Sequence, residues 1–349
     1  MKWVQVVAAL LTVMPYVTGC GEGSTAATSQ TNTDNNTAAA NMTVTEPSPS
    51  TPAVSSANSS TSYTLVSSSG TIISPTNNSA ANNAASFGST GTEGRLEADN
   101  VDLTPLSDAE RAAIKITTPT ATARIIQESI LGFDSRFQVI PASYPERAVT
   151  LITYNGNTHC SGWLVSKDTL VTAGHCVHGG GSTGRWGAPT AFKVYPGFSD
   201  GYAPYGSCTP RELYSTYGWI TNADSNADIG IIKLDCTVGN STGYFSYAVT
   251  DTIDNTAVNI NGYPGDKAGG GQQWGSKGIV LYATPTKIHY DNDTTGGMSG
   301  SPVWVQDSTT AWAFGIHTNG ENTLAPGSNS GTRISKDVFD LITAAKALP

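Results

Sequence analysis

From residue 129 to the C-terminus, short apolar runs alternate with polar turns, whereas residues 21–94 hold almost no such runs. The pattern predicts strands over 148–154, 159–165, 170–173, 191–195, 229–234, 257–262, 279–283, 287–290, 302–306 and 311–317. Asn155-Gly156 and the stretch 166–169 supply turn residues between the first three. One helical period stands at the end, where Val338, Phe339, Leu341, Ile342 and Ala345 recur behind Ser335 as N-cap. No internal repeat is found. An all-β domain over 129–349 follows, with a C-terminal helix. Its length suits two packed six-stranded antiparallel β-barrels, which close their sheets and leave few edges.

The segment ahead of it divides into three. Residues 1–20 carry Lys2 and then an apolar run from Val4 to Val17, too short to span a bilayer, which reads as a signal peptide. Val17-Thr18-Gly19-Cys20 is also a lipobox pattern, in which Cys20 would be acylated and tether the chain to a membrane surface; cleavage near Gly19 with a free Cys20 is the other reading. Residues 21–94, dominated by Ser, Thr, Asn, Ala, Gly and Pro, bury too little apolar surface to offset chain entropy and are expected to be a disordered leader. In 95–128, Ser107-Asp108-Ala109-Glu110 forms a capping box that predicts a short helix over 111–116. With the loose tether that follows, this stretch reads as a propeptide.

Composition then narrows the chemistry. Setting Cys20 aside leaves Cys160, Cys176, Cys208 and Cys236, an even number in an exported chain, which implies two disulfides with three possible pairings. Cys160–Cys176 with Cys208–Cys236 is favoured. Zinc ligation lacks a Cys-x-x-Cys pair or a His/Cys cluster, so no metal is expected. The net charge is −9, and from Ser129 onward 13 Lys and Arg face 17 Asp and Glu, which argues against a basic nucleic-acid groove.

Three stretches carry chemistry. In Thr294-Thr295-Gly296-Gly297-Met298-Ser299-Gly300-Ser301-Pro302, glycines flank a serine whose hydroxyl a tight turn would lift out, with the amides of Gly297 and Ser299 free to form an oxyanion hole. Thr172-Ala173-Gly174-His175-Cys176 offers a base just after an apolar strand. Asp228, before the apolar run 229–234, offers a carboxylate that would be costly to bury without a partner. A serine hydroxyl needs a base within reach, and the base needs an orienting carboxylate, so Ser299, His175 and Asp228 are the candidate catalytic set. Their order along the chain differs from that of an α/β-hydrolase. A non-catalytic binding module on a long stalk is the reading from another class.

The order His, Asp, Ser is that of the chymotrypsin-like serine peptidases, and residues from 129 resemble one branch of them, the bacterial glutamyl endopeptidases. The resemblance rests on Ser129-Ile130-Leu131-Gly132, Cys160-Ser161-Gly162-Trp163, Thr172 to Cys176, Gly262-Tyr263-Pro264-Gly265-Asp266, Thr294 to Pro302, Gly315-Ile316-His317 and Gly331-Thr332-Arg333-Ile334. It implies a double β-barrel with the site between barrels, no metal or organic cofactor, and protein or peptide substrates cut after Glu, less readily after Asp. It also implies that His317 and Thr294 hold the substrate carboxylate. Trypsin-like or apolar specificity is the alternative, because Asp293 stands six residues before Ser299, where trypsin-like enzymes carry a pocket aspartate. The bond Glu128–Ser129 is a propeptide cleavage site for a Glu-specific enzyme. The resemblance then places the new amine of Ser129 near the pocket. A secreted or surface-anchored monomer made as a zymogen is expected, with no nucleic-acid partner.

Overall fold

The computed structural model describes residues 53–54, 62–74, 109, 113–114, 128–307, 309–323 and 325–349. The signal segment with Cys20 lies outside these residues, as does most of 21–94 and of the propeptide stretch. Of the helix expected over 111–116, only Ala113 and Ile114 are described, Ala113 in helical conformation and Ile114 buried.

The strands in chain order are β1 (Ala53–Val54), β2 (Leu65–Ser67), β3 (Ile72–Ser74), β4 (Phe137–Gln138), β5 (Val149–Tyr154), β6 (Asn157–Leu164), β7 (Thr169–Thr172), β8 (Phe192–Pro196) and β9 (Pro210–Thr216). They continue as β10 (Gly230–Leu234), β11 (Ser246–Tyr247), β12 (Ala257–Gly262), β13 (Trp274–Ala283), β14 (Lys287–Tyr290), β15 (Pro302–Gln306), β16 (Ala311–Asn319) and β17 (Asn329–Arg333). A helix, Lys336–Lys346, follows. Among the described residues no helix is long and apolar enough to cross a membrane.

Two sheets form. In the second, β16, β15, β12, β13, β14 and β17 are neighbours in that order, and β17 pairs back onto β16, closing a six-stranded antiparallel barrel. In the first, β8, β5, β6, β7, β10 and β9 run side by side, and Val194 of β8 exchanges both backbone hydrogen bonds with Cys208, just ahead of β9. The turn between β5 and β6 is Asn155-Gly156 with φ of 51° and 78°, the doubly positive pair that suits a two-residue hairpin. Cys160 is bonded to Cys176 and Cys208 to Cys236. Ser335 caps the C-terminal helix by accepting from the Val338 amide, and Val338, Phe339, Leu341, Ile342 and Ala345 are buried. Phe339 meets Tyr247 with ring centroids 5.0 Å apart.

Two strands carry no apolar alternation and so escape a reading of hydrophobic period. β9 opens Pro-Arg-Glu, and β17 reads Asn-Ser-Gly-Thr-Arg. β17 is nonetheless buried along nearly its whole length, and Asn329, Thr332 and Arg333 find hydrogen-bond partners inside the molecule.

The expectation of a wholly disordered leader needs correction within 62–74. There β2 and β3 form a hairpin, and β2 adds to the edge of β9 with Leu65 opposite Thr216 and Val66 opposite Ser215. Leu65 is 0% exposed and Ile73 1%, both in the main core. Tyr63, Leu65 and Ile73 are the apolar positions that make this possible, in a segment whose average composition hides them. Replacing buried Leu65 by Ala in the intact chain is expected to lower its stability by about 2–5 kcal/mol in denaturant unfolding. A loss under about 0.5 kcal/mol would mean the hairpin does not belong to the core.

Candidate active site

His175 lies in a single 3-10 turn, Gly174–Cys176, directly after β7 and pinned by the Cys160–Cys176 disulfide. Asp228 ends another short turn, Ser225–Ala227, immediately before β10. Because β7 and β10 are paired, with Gly230 opposite Thr172, these two loops emerge side by side. Asp228 takes two bonds from His175: the backbone amide to Oδ1 at 2.9 Å and the ring Nδ1 to Oδ2 at 2.8 Å. A side chain on Gly174 would put its Cβ 2.9 Å from Asp228 Oδ1, so the close approach requires glycine there. Burial acts to lower the pKa of His175, but the charge and hydrogen bond of Asp228, aided by the charge of Glu128, outweigh it and raise the pKa above the ordinary value.

Ser299 comes from the other barrel, on the turn between β14 and β15. Gly297 and Gly300 on either side have φ of 103° and 87°. Cβ atoms there would lie 2.5 Å from Tyr263 O and 2.2 Å from Thr172 Oγ1 respectively. The Gly297 and Ser299 amides donate to no other described group, whereas Met298 and Gly300 donate within or across the turn. The Ser299 hydroxyl does not bond to His175. It donates to Oε1 of Glu128, whose side chain is fully buried.

That carboxylate fills the space bounded by the expected pocket residues. His317 Nε2 lies 3.5 Å from Glu128 Oε1, inside ion-pair reach yet long for a good hydrogen bond. Glu128 Oε2, Thr294 Oγ1 and His317 Nε2 are all buried without a hydrogen-bond partner among the described residues. Ser129 follows at the rim: its amide donates to Asn329 Oδ1 at 3.1 Å, and its carbonyl accepts from Asn329 Nδ2 at 2.6 Å and from the Thr294 amide at 3.1 Å. Asp293 faces away from this space. Its Oδ1 accepts from the Leu131 amide, and its Oδ2 from the amide and hydroxyl of Ser135.

Three groups at the site escape a reading of motifs. Asn329 clamps Ser129 from β17, a strand too polar to be recognised as one. Tyr290 on β14 meets His317 Nδ1 at 2.6 Å; its place in the run 287–290 marks it only as a buried aromatic. Lys287 on the same strand is buried, bonded to Thr318 Oγ1 and Asn319 Oδ1, and burial pushes its pKa down to about 8. A lysine beginning a short apolar strand is a signal that could have been followed.

Residues 160–310 match the family described as trypsin-like peptidase domain. The chain is 38% identical to the glutamyl endopeptidase of Bacillus licheniformis over 225 residues, 62% of this chain and 68% of that protein. It is 35% identical over 227 residues to a Bacillus subtilis protein named extracellular metalloprotease, covering 61% of this chain and 68% of the relative. Among the described residues, the His, Cys, Asp and Glu groups close enough to share an ion are Cys160, His175, Cys176 and Cys208, Asp235, Cys236, and every cysteine in them is disulfide-bonded. A solved structure of a Glu endopeptidase in complex with MPD aligns with a TM-score of 0.56 at 31% identity, covering 63% of this chain and 100% of that one. A two-sheet β fold with one closed barrel, a His–Asp pair, a glycine-flanked serine and these similarities together make the chain a serine endopeptidase of the glutamyl endopeptidase branch of the chymotrypsin-like peptidases.

Proposed function

We propose that this chain cleaves proteins or peptides after Glu, less readily after Asp, with Ser299 as nucleophile, His175 as general base and Asp228 as its orienting carboxylate. The observation that carries the reading is the glutamate side chain already lodged beside the nucleophile: Glu128 lies against Ser299 Oγ and within 3.5 Å of His317 Nε2. A pocket that accepts a glutamate of its own chain has room for one from a substrate. His317 and Thr294 supply Nε2 and Oγ1, which have no hydrogen-bond partner among the described residues and so suit a buried carboxylate. The trypsin-like alternative needs Asp293 in the pocket, and the amides of Leu131 and Ser135 engage that carboxylate instead.

In the reaction, His175 takes the Ser299 proton as the serine oxygen attacks the bound glutamate's own carbonyl carbon. The amides of Gly297 and Ser299 receive the oxyanion, and His175 then returns the proton to the leaving amine. Water repeats the sequence on the acyl-enzyme. Asp228 holds Nδ1, so Nε2 is the nitrogen presented for the exchange.

The same occupancy supports a zymogen reading. While Glu128 is attached, its carboxylate holds the nucleophile's hydroxyl and fills the pocket, so a second molecule cuts Glu128–Ser129. To be cut, Glu128 leaves its own pocket for that of the second molecule; the cut prevents its return and leaves an ammonium on Ser129 at the rim, where it helps neutralise an incoming carboxylate. The active form is an exported monomer, and a Cys20 that carries lipid anchors the uncut chain at the cell surface.

Ser299→Ala and His175→Ala should each lower turnover by several orders of magnitude, and the double variant little more; full activity in either single variant would end the assignment. A peptide-library profile should favour Glu, and His317→Ala should reduce kcat/KM on Glu substrates by about 10–100-fold, as expected for a lost hydrogen bond to a charge. A surviving Lys preference would promote Asp293. Labelling by a serine-directed phosphonate should be about tenfold or more slower for the intact chain than for its Glu128→Ala variant, since only an unoccupied pocket reacts; equal rates would sink the zymogen reading. Because His175 must be neutral to accept a proton and its pKa is raised, kcat/KM should fall as pH drops through that pKa. Loss of Glu128 removes one raising charge, so the His175 midpoint in the cut enzyme should lie below that of the intact chain, read by histidine NMR. A profile flat from about pH 5 to 8 would contradict the base assignment.

A further inference from the structure

We propose that Tyr290 is a positioning residue that fixes the tautomer of His317, donating its hydroxyl proton to Nδ1 so that a neutral imidazole presents Nε2–H to the substrate's carboxylate. The inference rests on the acidic-residue reading above and concerns how the pocket tells a carboxylate from an amide.

The geometry begins with the strand order. β14 and β16 both pair with β17, one on each side, with Tyr290 opposite Asn329 and His317 opposite Gly331. The phenol must therefore reach across β17 to meet the imidazole. Gly331 makes the crossing possible. A Cβ there would lie 3.2 Å from Tyr290 Oη and 2.4 Å from Ile316 O, so any side chain would crowd the path. The two rings are tilted with centroids 5.9 Å apart, and Oη lies 2.6 Å from Nδ1.

Proton counting sets the direction of that bond. Both residues are 0% exposed. Among the described residues, the hydrogen bond to His317 is the only one that Tyr290 Oη makes. If Nδ1 carried the proton and donated it, the phenolic hydrogen would be a buried donor without an acceptor, and Nε2 would face the carboxylate with a lone pair. If the phenol donates, its hydrogen is satisfied, Nδ1 is satisfied, and Nε2 carries the hydrogen on the side where Glu128 Oε1 lies 3.5 Å away. The second arrangement leaves no repulsion at either nitrogen. The phenol is well placed to keep its proton, since burial, with the charge of Glu128, raises its pKa well above the ordinary value.

A neutral donor of this kind has a particular consequence. A glutamine side chain could offer its oxygen to Nε2–H but would bring an NH2 group as well, whereas a carboxylate offers acceptors only. With the tautomer free, Nε2 could become an acceptor and receive that NH2. Tyr290 thus contributes to selection of Glu over Gln without touching the substrate.

The test compares wild-type enzyme with Tyr290→Phe on substrates differing only by Glu or Gln at the cleaved residue. The ratio of kcat/KM for Glu over Gln should fall at least about tenfold, carried by KM for Glu, with kcat changed less than about twofold. A merely structural loss would lower both substrates alike. In the His317→Ala background, Tyr290→Phe should leave the ratio unchanged. Nitrogen-15 histidine NMR of the intact chain, with the His317 signals assigned by their loss in His317→Ala, should show Nε2 protonated and Nδ1 bare. A wild type that prefers Glu but keeps the same ratio in Tyr290→Phe, or carries the proton on Nδ1, overturns this inference alone. A wild type without preference for Glu overturns the acidic-residue reading and this inference with it.

Discussion

One residue in β6 ties the two barrels together at Ser299. The Ser161 amide donates to Ser299 O at 2.9 Å, and its hydroxyl donates to Gly297 O at 2.8 Å while accepting from the Tyr263 amide at 2.8 Å. Its carbonyl accepts from Thr172 Oγ1 at 2.7 Å, two residues before Gly174 and three before His175. All four polar functions of one buried serine are thus spent on the turn that carries Ser299, the loop behind it and the strand that leads to His175. The neighbouring Gly262 shows how tight this is, since a Cβ there would fall 2.2 Å from Ser301 Oγ and 2.8 Å from Ser161 Oγ. The barrels can shift against one another only by breaking these bonds, and a buried orphan costs about 1–3 kcal/mol each time. A site split between two barrels needs such a joint, because misplacement by about 1 Å is enough to cost two orders of magnitude in rate.

Charge then decides what the joint encloses. His175, Asp228, Glu128, His317 and Lys287 are gathered in a region with little water to screen them. The charge of Glu128 acts with that of Asp228 to raise the pKa of His175, and that of Lys287 acts against them. Lys287 itself is held by a hydroxyl and an amide oxygen rather than by a carboxylate, which leaves burial free to lower its pKa. On the proposed reading, the carboxylate of a bound acidic residue therefore also raises the basicity of the imidazole that accepts a proton beside it.

The sequence made the strands readable wherever they form short apolar runs bounded by turn residues, as in β5, β7, β10, β12 and β15, because a strand buried on both faces reads as such a run. It could not reveal β17, which is buried on both faces and whose Asn329 and Thr332 bond to partners distant in the chain. The hairpin 62–74 was hidden for a different reason. Its few apolar residues are diluted by Ser and Thr, and their value depends on the open edge of β9, which no local window contains. At the site, Gly297, Ser299, His175 and Asp228 stand in short motifs whose chemistry demands those residue types. Tyr290 and Asn329 belong to no motif, and their roles come from register across β17, a long-range fact. The seat of Glu128 was legible only as a bond to be cut, not as an occupant of the pocket.

That occupancy also bears on how activation could work without remodelling the site. In trypsin-like zymogens a new amine pairs with an aspartate just before the nucleophile, and that pairing builds the pocket. Here the position is Met298, buried in the core of the second barrel, so no such pair can form. The segment after the cut is instead anchored already. Asp293 holds the amides of Leu131 and Ser135. Arg136, its side chain wholly buried, bridges Asp134 and Asp266 and donates to Thr295 Oγ1 at 2.6 Å, two residues before Gly297. Asp134 and Asp266 are both held below the usual carboxylate range, chiefly by the hydrogen bonds from Arg136 working against burial, so these ties persist at mildly acid pH. With Ser129 clamped by Asn329 as well, cutting Glu128–Ser129 requires no movement of residues 131–136. On the proposed reading, activation is the departure of one side chain from a finished pocket, made irreversible by the cut.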